Sequence, residues 1–162
     1  MRTATAHSSG WPAYAAFLVA LLFALVSLYW TAGGEAGLDT VGGSIERAVR
    51  TGGPAMTAAL ALVTVVKLAG AAFALALVRP WGLVFPRRLL LVLGWLGTAV
   101  LVLYGGVLTG AEAVAAATGL PGTDRLAFRG HLYLWDPWFL LWGVLLGLAM
   151  LRLRRVRSAP AA

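Results

Sequence analysis

Two ionisable side chains, Lys67 and Asp136, lie within long apolar segments of the sequence and are the first candidates for chemistry. A charge at the centre of a bilayer costs about 2.5–3.5 kcal/mol on insertion scales, so such residues usually face the interior of a helix bundle and mark a functional site. Lys67 is the only lysine beside 12 arginines. It either pairs with an acid or with carbonyl groups and fixes helix register, or handles a ligand, an anion or a proton, or snorkels to an interface.

Asp136 precedes a proline, and this order is typical of a helix start. Asp136 would then be the N-cap and Pro137 the first helical residue. The alternative is that Asp136 points into the bundle, because it shares a helix face with Leu140, Gly143 and Gly147. Two glycines at this spacing are typical of a close contact with a neighbouring helix.

A cavity is the feature that would join these two residues. Lys67 lies about 13 residues below the outer end of its segment, or roughly 20 Å at the helical rise per residue, so direct contact with Asp136 is not expected. The residues that could line a water-filled or ligand-filled cavity are Tyr29, Thr98, Tyr104 and Thr109, and those that could close it from above are Glu35 and Asp39.

A tryptophan stripe and one histidine complete the set of candidates. Trp135, Trp138 and Trp142 are more typical of an interfacial girdle or of packing than of a ligand box, and His131 precedes them. The only other histidine, His7, falls on the opposite membrane side in the topology given below, so the two cannot ligate one haem or metal. We predict no catalytic residue, no metal and no cofactor.

The composition requires a bilayer as the solvent for much of the chain. Of its 162 residues, 60% are apolar and 12% are charged, against about 25% charged in a typical soluble domain. The mean hydropathy is +0.85. A soluble globular enzyme is therefore excluded, and the absence of cysteine excludes iron–sulfur clusters, thiol nucleophiles and cysteine zinc sites.

Four continuous apolar segments are long enough to cross a bilayer as helices. We predict a single all-α transmembrane domain over residues 1–162, a four-helix bundle with spans at about 13–30, 54–78, 88–108 and 132–151. Pro12 and Pro54 suit the first turns of two of these helices. The first span is interpreted as a retained helix because it is longer than a signal-peptide core. The alanine-rich residues 111–117 extend the third helix.

The charges predict the topology. Eight arginines unaccompanied by acids fall at the N-terminus, the second connection and the C-terminus, which places both termini in the cytoplasm and the chain in the cytoplasmic membrane. They account for the net charge of +7 as topology signals and contacts with anionic lipid, not with nucleic acid. These arginines are Arg2, Arg79, Arg87, Arg88, Arg152, Arg154, Arg155 and Arg157.

The two outer connections carry local signals. In the first, Ser44 to Arg50 predicts a short amphipathic helix with Ser44 as its N-cap and Gly52 as its stop. This helix is either a plain connector or a lid over a cavity. In the second, residues 120–122 read Leu-Pro-Gly and predict a turn.

The last span carries a family resemblance. The stretch from His131 to Trp142, with its Trp-Asp-Pro-Trp-Phe core at 135–139, resembles small bacterial multi-pass membrane proteins classed only as a domain of unknown function. Tyr29-Trp30, the Gly33-Gly34 pair and residues 37–39 (Gly-Leu-Asp) are similar as well. The resemblance covers nearly the whole chain and implies a four-helix membrane protein, without implying an activity, a ligand or a catalytic residue.

These observations favour a non-enzymatic membrane protein that binds a lipid or small amphipathic molecule, or that serves as an accessory subunit of a membrane complex. The binding site would be the outer-facing cleft near Asp136 and Lys67. A first alternative is a transporter or channel subunit that forms a homo-oligomer and uses Lys67. A second alternative is a membrane enzyme that acts on a lipid-soluble substrate through Lys67, Asp136 or His131.

Overall fold

A computed structural model describes residues 10–119 and 124–156 of the chain. Arg2, His7, Arg157 and the predicted turn at 120–122 lie outside the described residues. The described ranges contain helices and no strand. The elements in chain order are α1 (Trp11–Thr31), a 3-10 helix (Leu38–Thr40), α2 (Gly43–Thr51), α3 (Pro54–Ala76), a 3-10 helix (Pro80–Val84), α4 (Arg87–Ala117), α5 (Arg125–Gly130), a π-helix (His131–Trp135) and α6 (Asp136–Val156).

Four of these helical segments are long and apolar enough to cross a membrane: α1, α3, α4 and the continuous run of α5, the π-helix and α6. The predicted all-α, four-span architecture is therefore confirmed. Pro12 and Pro54 stand in the first turns of α1 and α3. A backbone N–H at that position has no partner within the helix, so proline costs no hydrogen bond there. Helix α4 continues to Ala117, as the alanine-rich stretch predicted.

The four spans pack in a chain of neighbours and not in a closed ring. Helix α1 packs against α3 and α6, and α6 packs against α4, whereas α3 and α4 are outer helices without an extensive mutual contact. Helix α1 reaches its central place through buried small residues at helical spacing, which let a neighbouring backbone come close. They are Ala13, Ala16, Ala20 and Ala24.

Glycines set the distance between α4 and α6. A Cβ atom placed on Gly143 would lie 2.8 Å from the Val102 backbone nitrogen, and one on Gly147 would lie 3.0 Å from Thr98 Cγ2. No side chain fits at these separations without a shift of the helices. The predicted helix contact of Gly143 and Gly147 is thereby confirmed, with α4 as the partner.

The charged residues are sorted between the two ends of the bundle. At the end where α1 begins and α6 ends, the Arg79 guanidinium lies 5.6 Å from the Tyr14 ring centre and that of Arg152 lies 5.3 Å from the Trp11 ring centre. We call this the arginine end. The opposite end, which holds α2, α5 and all six acids of the chain, is the acidic end.

Helix α2 forms as the amphipathic pattern predicted, over Gly43–Thr51. Gly42 (φ +62°) and Gly52 (φ +68°) bound it in left-handed backbone conformations that other residues rarely adopt. Gly52 thus ends the helix as predicted. The prediction of Ser44 as N-cap is wrong, because the helix starts one residue earlier and Gly42 holds the cap position without a side-chain bond.

Candidate functional site

Lys67 is buried between α3 and α1, with 8% of its surface exposed. Its Nζ atom donates a 2.7 Å hydrogen bond to Ser27 Oγ and lies 3.4 Å from the centre of the Phe23 ring. A hydroxyl and an aromatic face hold the Nζ atom, in place of the acid or carbonyl groups named in one of the three interpretations. A ring face attracts a desolvated cation by about 2 kcal/mol, which explains how the bundle accommodates Lys67.

Phe23 ties Lys67 to a cluster of aromatic rings on the last span. The Phe23 ring lies 6.1 Å from Trp135, 5.6 Å from Trp138 and 4.7 Å from Phe139, measured between ring centres. We call these four residues the aromatic cluster. As expected, Lys67 and Asp136 form no ion pair or hydrogen bond with each other. Phe23, which contacts Lys67, stacks on Trp135, the residue directly before Asp136.

The tryptophan stripe packs inside the bundle. Trp135 Nε1 donates to the carbonyl and the hydroxyl of Thr40, at 3.2 and 3.1 Å, and Trp138 Nε1 donates to the Val19 carbonyl at 3.0 Å. Trp142 lies against α3, where a Cβ atom on Gly70 would come within 2.6 Å of its ring. Of the interpretations left open, packing describes these three side chains.

Three ionisable side chains meet at the acidic end: Glu112, His131 and Asp136, which we call the His131 cluster. His131 Nδ1 lies 3.1 Å from Asp136 Oδ2 and 4.0 Å from Glu112 Oε1. Asp136 is 1% exposed. Asp136 Oδ1 and Glu112 Oε2 are buried without a hydrogen-bond partner among the described residues.

The π-helix brings His131 and Asp136 face to face. Asp136 is the fifth residue after His131, and in an α-helix that spacing would turn the two side chains about 140° apart. In a π-helix, whose backbone hydrogen bonds join i and i+5, the wider turn brings residues at this spacing closer to the same face. Pro137 favours this widening directly before it, because it has no N–H to donate to the preceding helical turn.

The segment before α2 fixes the orientation of the imidazole. His131 Nε2 lies 3.1 Å from the Val41 carbonyl oxygen. The backbone of Thr40 packs directly on Gly130, where a Cβ atom would clash with the Thr40 carbonyl group. A glycine is therefore required beside His131 for this contact to form.

Asp136 is buried in the bundle as predicted, but its predicted role as an N-cap is wrong. Its backbone is helical (φ −80°, ψ −39°), whereas an N-cap residue lies outside the helix. The real N-cap of this helical run is Asp124, whose Oδ1 accepts from the backbone N–H groups of Leu126 and Ala127. The carboxylate of Asp136 therefore caps no helix and belongs to the His131 cluster.

None of the other predicted cavity residues forms a hydrogen bond with Lys67 in the described part of the chain. Tyr29 is exposed and accepts a hydrogen bond from the Ala36 N–H, and Asp39 accepts one from the Thr40 N–H. Tyr104 of α4 is half exposed, and its ring lies 4.9 Å from that of Phe139 of α6.

A cavity of about 190 Å³ lies between α2 and the start of α3. Glu35 lines the cavity, and Arg50 bridges Glu35 and Glu46 (Nε to Glu46 Oε1, 2.9 Å). The hydrogen bond to Glu46 and the nearby charge of Glu35 raise the pKa of Arg50. Helix α2 contributes Val49 to the lining, and the lid and the plain connector both remain predictions. The lining residues include Trp30, Thr31, Glu35, Val49, Met56 and Leu60.

A second cavity opens sideways between the two outer helices at the arginine end. It has a volume of about 250 Å³, and we call it the lateral cleft. A neighbouring cavity of about 350 Å³ shares Phe85 and Leu90 with it and is bordered by Arg87. The lateral cleft is lined solely by apolar residues: Ala69, Ala72, Phe73 and Ala76 of α3, Trp81 and Phe85 of the connection, and Leu89, Leu90 and Leu93 of α4.

Sequence reasoning missed Glu112 and the lateral cleft. Glu112 follows Gly105 and Thr109 at spacings of seven and three residues, which places it on the face of α4 that packs against α6. That spacing was the signal that could have found it. The cleft depends on how far α3 and α4 stand apart, which no local pattern encodes.

Comparison with known proteins gives a family and no activity. A family model described as "Protein of unknown function (DUF3995)" matches residues 20–146, and the chain belongs to this family. The predicted resemblance to a membrane protein family of unknown function is confirmed. No curated protein and no solved structure matches the chain.

Proposed function

We propose that this DUF3995 member binds an anionic phospholipid, with an acyl chain in the lateral cleft and the head group at the arginine end. The cleft carries the proposal: an apolar opening between two membrane-spanning helices is accessible to lipid from the side. This location differs from the outer site near Lys67 that the sequence suggested, because the ammonium of Lys67 is already enclosed by Ser27 and Phe23.

The shape of the cleft favours an acyl chain. Small side chains of α3, such as Ala69 and Ala72, form one wall, and leucines of α4 form the other. Trp81 and Phe85 close the cleft toward the membrane surface, with their rings 6.4 Å apart between centres. Aromatic side chains collect at the depth of lipid head groups, where an acyl chain begins.

Charge favours an anionic head group. Arg87 borders the cavity beside the cleft, and Arg79 and Arg88 stand in the same connection or directly after it. All six acids of the chain belong to the acidic end, so none competes for these guanidinium groups. Each basic residue near an anionic membrane surface contributes about 1 kcal/mol of attraction.

Native mass spectrometry of the purified chain with defined lipids tests the proposal. The wild type is expected to retain phosphatidylglycerol in preference to phosphatidylethanolamine after mild delipidation. Ala72→Phe fills the cleft and should lower the retained lipid severalfold. Ala59→Phe, at an exposed position of the same helix outside the cleft, is the matched control and should retain lipid like the wild type.

A second pair of variants tests the preference for an anionic head group. Arg87→Gln should reduce the preference for phosphatidylglycerol, whereas Arg125→Gln, an exposed arginine at the acidic end, should not. Equal retention of lipid by Ala72→Phe and the wild type would overturn the cleft as the binding site. Equal retention of the two lipids by the wild type would overturn the anionic head group.

A further inference from the structure

The His131 cluster joins donor atoms from two of the four spans. Glu112 comes from the last turns of α4, His131 opens the π-helix and Asp136 opens α6. One ligand atom from each residue lies within 4.8 Å of the other two. Imidazole nitrogen and carboxylate oxygen at such separations are the donors that a first-row divalent metal uses in proteins.

The hydrogen bond on the far side of the imidazole decides which nitrogen faces the acids. The Val41 carbonyl can only accept, so His131 Nε2 carries a hydrogen and donates it. In the neutral ring, Nδ1 then carries no hydrogen, and its lone pair is directed at the carboxylates of Asp136 and Glu112. A metal-bound histidine has this same arrangement, in which the second nitrogen donates to a carbonyl and fixes the ring.

The buried oxygens of the two acids are an independent observation. Asp136 Oδ1 and Glu112 Oε2 make no hydrogen bond within the described residues, and Asp136 is almost completely buried. A buried carboxylate oxygen without a partner is strongly unfavourable. A single proton, on His131 Nδ1 or on Glu112, would supply one donor to this pair of acids. A divalent cation would neutralise both carboxylates and bind an oxygen of each.

We propose that Glu112, His131 and Asp136 bind a divalent transition-metal ion of the Zn²⁺ type at the acidic end of the bundle. The imidazole favours such an ion over Mg²⁺ or Ca²⁺, which take oxygen ligands in larger number. Three protein ligands leave a coordination position for water or another small ligand. The side chains of His131 and Glu112 are 31% and 21% exposed, so the ion enters from the membrane surface at this end.

This site does not depend on the lipid proposal, because it lies at the opposite end of the bundle from the lateral cleft. It also does not need a second histidine. The prediction of no metal started from the separation of His7 and His131. The cluster instead uses one histidine and two acids, and the two acids are distant from each other in sequence. The two proposals therefore fail or succeed separately.

Isothermal titration with ZnCl2 tests the proposal on the full chain in detergent, without a polyhistidine tag. The wild type is expected to bind one Zn²⁺ per chain, and excess Mg²⁺ or Ca²⁺ should not displace it. Glu112→Gln and His131→Gln should each weaken binding by at least about tenfold, since loss of even an outer-shell partner typically costs that much.

Two controls separate the site from adventitious binding. Glu46→Gln removes an acid whose side chain is 22% exposed, nearly as exposed as that of Glu112, and it should bind Zn²⁺ like the wild type. His7→Ala should do the same. Absence of binding to the wild type, or wild-type affinity in Glu112→Gln, would overturn the site. Glu112→Gln remains decisive if His131→Gln does not fold, because it keeps the size and shape of the side chain and removes only its charge.

Discussion

Lys67 donates its 2.7 Å hydrogen bond to Ser27 across the α1–α3 interface, and no acid of the described residues forms an ion pair with it. Both side chains are buried, and the Phe23 ring covers the ammonium. The contact therefore joins a charge to a neutral hydroxyl within the apolar interior. Such a charge is tolerated only while its hydrogen bond and its aromatic contact are intact.

Ser27→Ala should destabilise the bundle by about 1–3 kcal/mol, because it leaves the Lys67 ammonium buried without its acceptor. Ser44→Ala, at an exposed serine of α2, is the control and should leave the melting temperature in detergent unchanged. Lys67→Met should be at least as stable as the wild type, since an apolar residue of similar volume removes the buried charge altogether. A lower melting temperature for Lys67→Met than for Ser27→Ala would contradict this explanation.

Gly143→Ala should destabilise the α4–α6 contact by about 1–3 kcal/mol, the usual cost of overpacking. Its Cβ would stand 2.8 Å from the Val102 nitrogen, and backbone cannot move aside as a flexible side chain can. Gly110→Ala is the matched control in α4, because nothing lies within 4 Å of its added Cβ. Thermal unfolding in detergent should separate the two variants. Equal effects would show that the helices have room at Gly143.

Two tryptophans allow a matched test of buried hydrogen bonding. Trp138→Phe removes the donor to the Val19 carbonyl and should cost about 0.6–1.7 kcal/mol, from the average to the maximum measured for side-chain bonds between membrane helices. Trp142→Phe removes an indole N–H that has no partner within the described residues, and should cost less. Denaturation in mixed micelles gives both values. A larger loss for Trp142→Phe would point to a partner for its N–H beyond the described contacts.

Arg50→Gln should loosen α2 without lowering the melting temperature of the bundle. Both acids that Arg50 bridges belong to the surface of the acidic end, where ion pairs contribute little to global stability. Hydrogen exchange of the α2 amides should become severalfold faster. Arg47→Gln changes the same charge on the same helix without breaking an ion pair among the described residues, and should exchange like the wild type. Unchanged exchange in Arg50→Gln would show that the bridge does not hold α2.

The four spans, their proline starts and the α2 helix were predictable because each follows from consecutive residues. Pro12 and Pro54 mark helix starts locally, and residues 44–50 repeat their apolar positions at helical spacing. The contact of Gly143 and Gly147 with another helix was predictable for the same reason, although the partner helix was not.

The candidate sites were harder to predict because they depend on distances between segments. Glu112 and His131 come together only through the packing of α4 on α6, and the π-helix that turns His131 toward Asp136 has no reliable sequence signal. The partner of Lys67 was missed because serine is common in membrane helices and Ser27 precedes Lys67 by 40 residues. Asp-Pro at 136–137 suggested a cap because the helix before it was not recognised.

The π-helix accommodates one more residue in the last span than an ordinary α-helix would. Removal of one residue between His131 and Asp136 would restore ordinary α-helical winding and place the two side chains at i and i+4, which lie on the same helix face. The His131 cluster therefore depends on the helical phase between its members and not on the π-helix itself. A variant with one residue fewer in this stretch is expected to keep His131 beside Asp136.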